Sequence, residues 1–199
     1  MKKFKLTSEF IVDISGVKLF RIKALIEFGN VKAGDLGGYI EKEENLSHMG
    51  DAWVSDDARI SGNAQVFGNA QVFGDAQVFG DAWVFGDARV SGDARVSGNA
   101  RVFGDAQVSG NARVSGNARV SGDARVSGDK DYAYAHGFGS CNRTTTFFRL
   151  KDGDVGVRCG CFYGTLAQFR DKVCETHGET KKAQEYLMLA DLMEIRFKN

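Results

Sequence analysis

The chain is 199 residues long, with 25 glycines and no proline, against ordinary usages of roughly 7% and 5%. Its 26 basic and 26 acidic residues cancel, so a general electrostatic grip on duplex nucleic acid is not expected. At 43% hydrophobic and 26% charged residues, with no apolar run of about 18 residues, it reads as neither disordered nor membrane-spanning.

The first residues, MKKFKLTSEFIVDISG, start basic, but Glu9 and Asp13 interrupt any apolar stretch of signal-peptide length. Four cysteines, all after residue 140 and unevenly spaced, do not form a secreted disulfide framework. A cytoplasmic protein is the expectation. Residues 1–45 read as an N-terminal β cap: the stretch VKLFRIKALIEF (17–28) alternates with a basic outward side, as a strand does. The lead-in GNVKAGDLGGYIEKEENLSHMGDAWV (29–54) then meets a repeat, with Leu46 in its alanine register and His48 in its valine register. The first coil is therefore expected one hexad early, at Leu46.

Across 51–127 the register is [D/N]-A-x-V-[S/F]-G. Alanine recurs every six residues from Ala52 to Ala124, giving 13 hexads, and valine follows two residues later, with Ile60 the single substitute. Ala and Val two apart face the same way on a short strand, and the x between them, always Arg, Gln or Trp, faces out. Glycine closes every hexad but the first, where Asp56 stands. Gly followed by Asp or Asn suits a tight corner, because these residues tolerate positive φ. Short strand, corner, short strand is a β-solenoid.

The string V-S-G-D-A-R resembles the hexapeptide repeat of left-handed parallel β-helices. That resemblance implies three hexads per triangular coil of 18 residues, and a left hand that periodicity alone does not give. The lead-in VKAGDLGGYIEKEENLSH resembles the opening of uncharacterised bacterial and prophage repeat proteins, some named as acyltransferases by repeat similarity. The implied setting is a phage or prophage protein in the bacterial host cytoplasm. The expected class is mostly β: an N-terminal β cap (1–45), a hexapeptide β-helix (46–130) and a small C-terminal α+β module (131–199).

Folding the hexads in threes sorts the outward residues into columns. One face carries Gln65/Phe67, Trp83/Phe85, Arg101/Phe103 and Arg119/Ser121. Phe67, Phe85 and Phe103 stack on one edge, with Trp83 and Arg101 beside them. This strip is expected to be a homo-oligomer interface, since large apolar patches mark contact sites; a trimer is implied first by the resemblance and a dimer second. The other readings are a ladder that stiffens the solenoid and a surface covered by the chain's own ends.

In 131–199, TTTFFRL and VGVRCGCF flank KDGD and read as a hairpin around Asp152-Gly153. A two-residue loop sets Leu150 opposite Val155 and Phe148 opposite Val157. Arg143, Thr145, Phe147, Arg149 and Arg158 then share the outer face. The run 165–168, Thr-Leu-Ala-Gln, is a capping box opening a helix that ends at His177-Gly178. Thr180 opens a second helix with Ala183, Tyr186, Leu187, Ala190 and Met193 inward. A ββαα module is expected.

Acyl transfer on a hexapeptide β-helix is implied to use a histidine base between subunits, and such a base needs hydrogen-bond reach to its substrate. The three histidines, His48, His136 and His177, all lie outside the hexads, so acyltransferase is the runner-up and a non-enzymatic scaffold or binding protein leads. A third reading is a phage inhibitor of host defence that captures a host protein or a signalling nucleotide. Cys159, Cys161, Cys174 and His177 are zinc-like ligand types, but Cys159 and Cys161 share the apolar hairpin face, so no metal and no cofactor is expected. Arg143, Thr145, Phe147, Arg149, Arg158 and Thr165 are the candidate contacts for a small anionic ligand, since arginines beside a helix N-terminus suit phosphate or carboxylate. The alternative is that this face docks on the β-helix end as a lid.

Overall fold

The computed structural model describes residues 2–139 and 143–198. Thirteen two-residue strands, β4 (Trp53–Val54) to β16 (Arg125–Val126), recur at every sixth residue, as the Ala-x-Val period requires. Each of the first ten pairs in parallel with the strand three hexads on: Gln65 with Trp83, Arg89 with Gln107, Arg95 with Arg113. Paired residues are thus 18 apart, and the chain winds as a left-handed, three-sided parallel β-solenoid. The alanines and valines of the hexads, with Ile60, are all buried in one continuous column.

The corners explain the glycines. Gly86 has φ +71, and a Cβ added there meets the Gly104 nitrogen of the next coil at 3.0 Å, so both backbone and neighbour exclude a side chain. Asp56 is the one non-glycine at positive φ among the described residues. Its Oδ2 accepts the Gly74 N–H at 3.0 Å, a local bond of the kind that lets aspartate adopt this region.

At the N-terminal end, β1 (Phe4–Val12), β2 (Lys18–Ala24) and β3 (Leu36–Ile40) form an antiparallel sheet. It extends one solenoid face, because β3 runs parallel beside β5 (Arg59–Ile60), with Ile40 opposite Ile60. Ile40 therefore already occupies the valine column. Six residues later Leu46 bridges Val66, so it holds a valine place and not the expected alanine place. The cause is spacing: Leu46 and Val54 are eight residues apart in the sequence, two more than a hexad. His48 leaves the coil wall in consequence, stacking on Phe4 at 4.4 Å and accepting the Lys3 N–H on Nδ1.

Both solenoid ends expose backbone groups that a further coil would satisfy, and buried groups of this kind need partners. Asn45 Nδ2 donates to the carbonyls of Gly62 (3.1 Å) and Ala64 (2.8 Å). Lys3 Nζ donates to those of Gly50 (3.1 Å) and Ala52 (2.7 Å). At the other end Asp129 Oδ1 accepts the Arg113 N–H and Thr146 Oγ1 accepts the Arg119 N–H. Side chains replace the missing coils.

The C-terminal module holds four antiparallel strands, β17 (Tyr132–Phe138), β18 (Arg143–Arg149), β19 (Val155–Cys159) and β20 (Phe162–Thr165). Two helices follow, α1 (Leu166–His177) and α2 (Lys181–Phe197). The two extra strands correct the ββαα expectation. YAYAHGF alternates Tyr with Ala, and β20 is four residues with an internal glycine, so neither carries an apolar–polar period. The helices begin and end as the caps dictate: Thr165 Oγ1 accepts the Gln168 N–H, Gln168 Oε1 accepts the Thr165 N–H, and Gly178 closes α1 at φ 55.

The hairpin register differs from expectation by one residue. Leu150 N–H donates to the Asp154 carbonyl, leaving a three-residue loop with Gly153 at φ 90, a common hairpin geometry. Phe148 then faces Gly156, and Phe147 faces Val157. A one-residue slip moves every side chain of one strand relative to the other's faces, so the expected outer face does not exist. Thr145, Phe147 and Arg149 share a side with Val155, Val157 and Cys159, under the helices. Arg158 lies on the other side with Thr146 and Phe148, toward the solenoid. Phe148 and Tyr132 complete the solenoid core, whereas Phe147 packs with Val157, Phe169 and Tyr186. It is thus the Thr146/Phe148 side of the sheet that closes the solenoid.

Two tests follow from these ends. Phe148→Ala removes a fully buried ring that plugs the solenoid, and should cost about 3–5 kcal/mol in denaturant unfolding. Lys3 is 1% exposed, and burial pushes its ammonium from 10.5 down to about 8, with Asp51 opposing. Between these values the unfolded chain holds the extra proton, so stability should rise with pH, at most about 1.4 kcal/mol per pH unit. Lys3→Met should lack this rise when unfolding curves from pH 7 to 10 are compared.

Candidate functional site

Two features break the periodicity of the solenoid, and both lie on the face of β6 (Gln65–Val66), β9 (Trp83–Val84), β12 (Arg101–Val102) and β15 (Arg119–Val120). The first is aromatic. Phe67, Phe85 and Phe103 stack at 4.8 and 4.9 Å between centroids, within 2° of parallel. The 18-residue register causes this, since equivalent side chains stand one strand spacing apart. Trp83 meets Phe67 edge-on at 6.0 Å, and the Arg101 guanidinium lies 4.6 Å over the Trp83 ring. All five side chains are half-buried. Ser121 takes the next ladder place and is buried, while the Arg158 guanidinium sits 5.3 Å over Phe103. The C-terminal module therefore closes one end of the ladder.

The second feature is an open groove of about 830 Å³ between this face and the module. Asn99, Arg101, Asn117 and Arg119 line it from the solenoid; His136, Arg143, Thr144, Gly160 and Cys161 line it from the module. Burial lowers the Arg119 pKa, and the charges of Arg101, Arg158 and Arg143 lower it further. Among the described residues none of these four guanidinium groups pairs with a carboxylate. Residues 140–142 are Ser-Cys-Asn and add none. Arg158 Nε and Ser121 Oγ are buried without a hydrogen-bond partner. His136 Nδ1 lies 3.0 Å from Thr144 Oγ1.

The residues expected to bind an anion are thus divided. Arg143 and Arg158 converge with Arg101 and Arg119. Arg149 instead ties the hairpin to the end of α2, donating to the Gly153 and Phe197 carbonyls at 2.9 Å. Thr145 is buried, its hydroxyl donating to Cys159 Sγ at 3.2 Å; Phe147 is buried beneath the helices; Thr165 caps α1. Cys159 is half-buried, Cys161 and Cys174 are exposed, and all three are free thiols. Among the described residues no three His, Cys, Asp or Glu side chains converge on a metal position. His177 packs beside Tyr186 at 5.8 Å.

Sequence reasoning missed Arg119, Asn99, Asn117, His136 and Thr144. One signal was present. The corner column beside the groove carries Asn99 and Asn117 where another carries Asp105 and Asp123, so negative charge is missing from the corner where arginines gather.

The coils are similar to the YdcK β-solenoid repeat, which matches residues 58–74, 88–104, 94–110, 106–122 and 118–129. Each matched segment begins at an inward alanine of an Ala-x-Val strand, so the similarity is to the coil itself and not to either end. No curated protein matches the chain. No helix among the described residues is long and apolar enough to cross a membrane.

The thiol environments make a direct prediction. In native protein Cys161 and Cys174 should react with a thiol reagent in the fast phase, and Cys161→Ser and Cys174→Ser should each remove one fast equivalent. Cys159→Ser should leave the fast phase unchanged.

Proposed function

We propose that this protein is a non-enzymatic scaffold that self-associates through its solenoid and makes its specific contact where the C-terminal module meets the coils. The observation that carries the reading is the aromatic ladder. Stacking hides the ring faces of Phe67, Phe85 and Phe103 from water but leaves their edges in a continuous strip beside Trp83 and Arg101. Covering a phenylalanine fully is worth about 1.5–3 kcal/mol relative to exposure, so even partial further burial of four aromatics per chain favours a partner. A second copy of this chain is the occupant, as a trimer first and a dimer second. What supports a non-enzymatic role is that His48, His136 and His177 stand on separate segments outside the hexads, His48 stacked on Phe4 and His177 beside Tyr186. The phage or prophage setting, in the host cytoplasm, rests on the likeness of the lead-in, and the genes flanking this one test it.

Phe67→Ser/Phe85→Ser/Phe103→Ser places at all three positions the residue most other hexads use. Light scattering should report an oligomer for the parent and a folded monomer for the variant. An unchanged mass would remove the strip as the interface.

A further inference from the structure

We propose that the groove between the solenoid and the C-terminal module binds a small ligand carrying two or more phosphoryl groups. Arg101 and Arg119 reach it from successive coils and Arg143 from β18, with Arg158 adding its charge from the Phe103 end of the ladder. Guanidinium groups form paired hydrogen bonds to phosphate oxygens, and Asn99, Asn117 and His136 line the groove beside them. A single carboxylate or phosphate would leave about half or more of this positive charge unbalanced. An oligophosphate, with three or more negative charges at neutral pH, matches it.

Size and setting point the same way. A volume of about 830 Å³ lies within the roughly 300–1,000 Å³ of small-molecule sites. The chain as a whole is neutral, so this positive charge is a local accumulation. Four guanidinium groups gathered without a carboxylate repel one another, and an anion bound among them would offset that cost. Arg101 belongs to both the strip and the groove, whereas Arg119 and Arg143 lie only in the groove, so ligand binding can be altered there without touching the strip.

The test is calorimetric titration of the full chain with inorganic triphosphate, with orthophosphate and chloride at matched ionic strength as comparators. Triphosphate should bind one per chain, at least tenfold tighter than orthophosphate. It should also change Trp83 emission, because Arg101 lies against that indole. Arg119→Gln/Arg143→Gln should weaken triphosphate at least tenfold, keep the parent's mass by light scattering, and melt no lower than the parent without ligand. Should the double variant fail to fold, Arg143→Gln alone carries the comparison, since Arg143 is exposed. Triphosphate binding no tighter than orthophosphate, or unaffected by these substitutions, overturns the proposal.

Discussion

The structure depends on one constraint, that residue i must lie against residue i+18 for the whole length of the repeat. Inter-coil hydrogen bonds, the inward column and the outward ladders all follow from that register. What holds it is the corner, where Gly86 and its equivalents combine positive φ with contact to the next coil's backbone. An added Cβ at such a corner pushes coils apart and breaks hydrogen bonds above and below at once. The interior reinforces the choice. Three two-residue strands enclose room for small side chains only, and in the thirteen hexads Ala and Val fill it without exception beyond Ile60. Large apolar residues are consequently excluded from the interior of the hexads and enter the core where the coils stop.

Those stops are the costly part of the design. A solenoid leaves core and backbone bare at two places, and here the two are closed by different means. The N-terminal end uses long polar side chains, Lys3 and Asn45, whose nitrogens stand in for backbone donors. Burying an ammonium is unfavourable, which pushes the Lys3 pKa down, and its donation to two carbonyls is what the burial gains. The C-terminal end uses a sheet laid across the opening, with Phe148 as plug and Thr146 Oγ1 as acceptor. Phe147, next in sequence, faces the other way into the helices. One strand thereby belongs to two cores, which ties the module to the coils.

Legibility tracks periodicity. The coils could be read residue by residue, because thirteen copies of one pattern allow a single phase. The helices were equally plain, since Thr165, Gln168 and Gly178 are local signals of caps. The hairpin was not, because KDGD permits two-residue and three-residue loops, and only tertiary packing of Phe147 and Phe148 decides between them. That slip misplaced Arg158 and hid its convergence with Arg119. The lead-in failed for a related reason, as two extra residues after Leu46 shift the phase without leaving a mark in composition. Lys3, Thr146 and Asn45 act across 49, 27 and 19 residues of sequence, and no local pattern announces such partners.

The placement of the arginine groove follows from the same logic. A periodic wall offers every ligand the same surface at each rung, so specificity arises only where the period is broken. On the face of β6 to β15 the outward column runs Gln65, Trp83, Arg101, Arg119, changing toward the C-terminal end, and there the module adds Arg143 and Arg158. Half of the charge comes from each side, so docking the module assembles the cluster. Docking offsets the repulsion by burying Phe148 and Tyr132 in the solenoid core, worth about 1.5–3 kcal/mol each, and by satisfying the Arg119 N–H with Thr146 Oγ1. The module thereby holds in place a set of guanidinium groups without carboxylate partners, which a bound anion would neutralise.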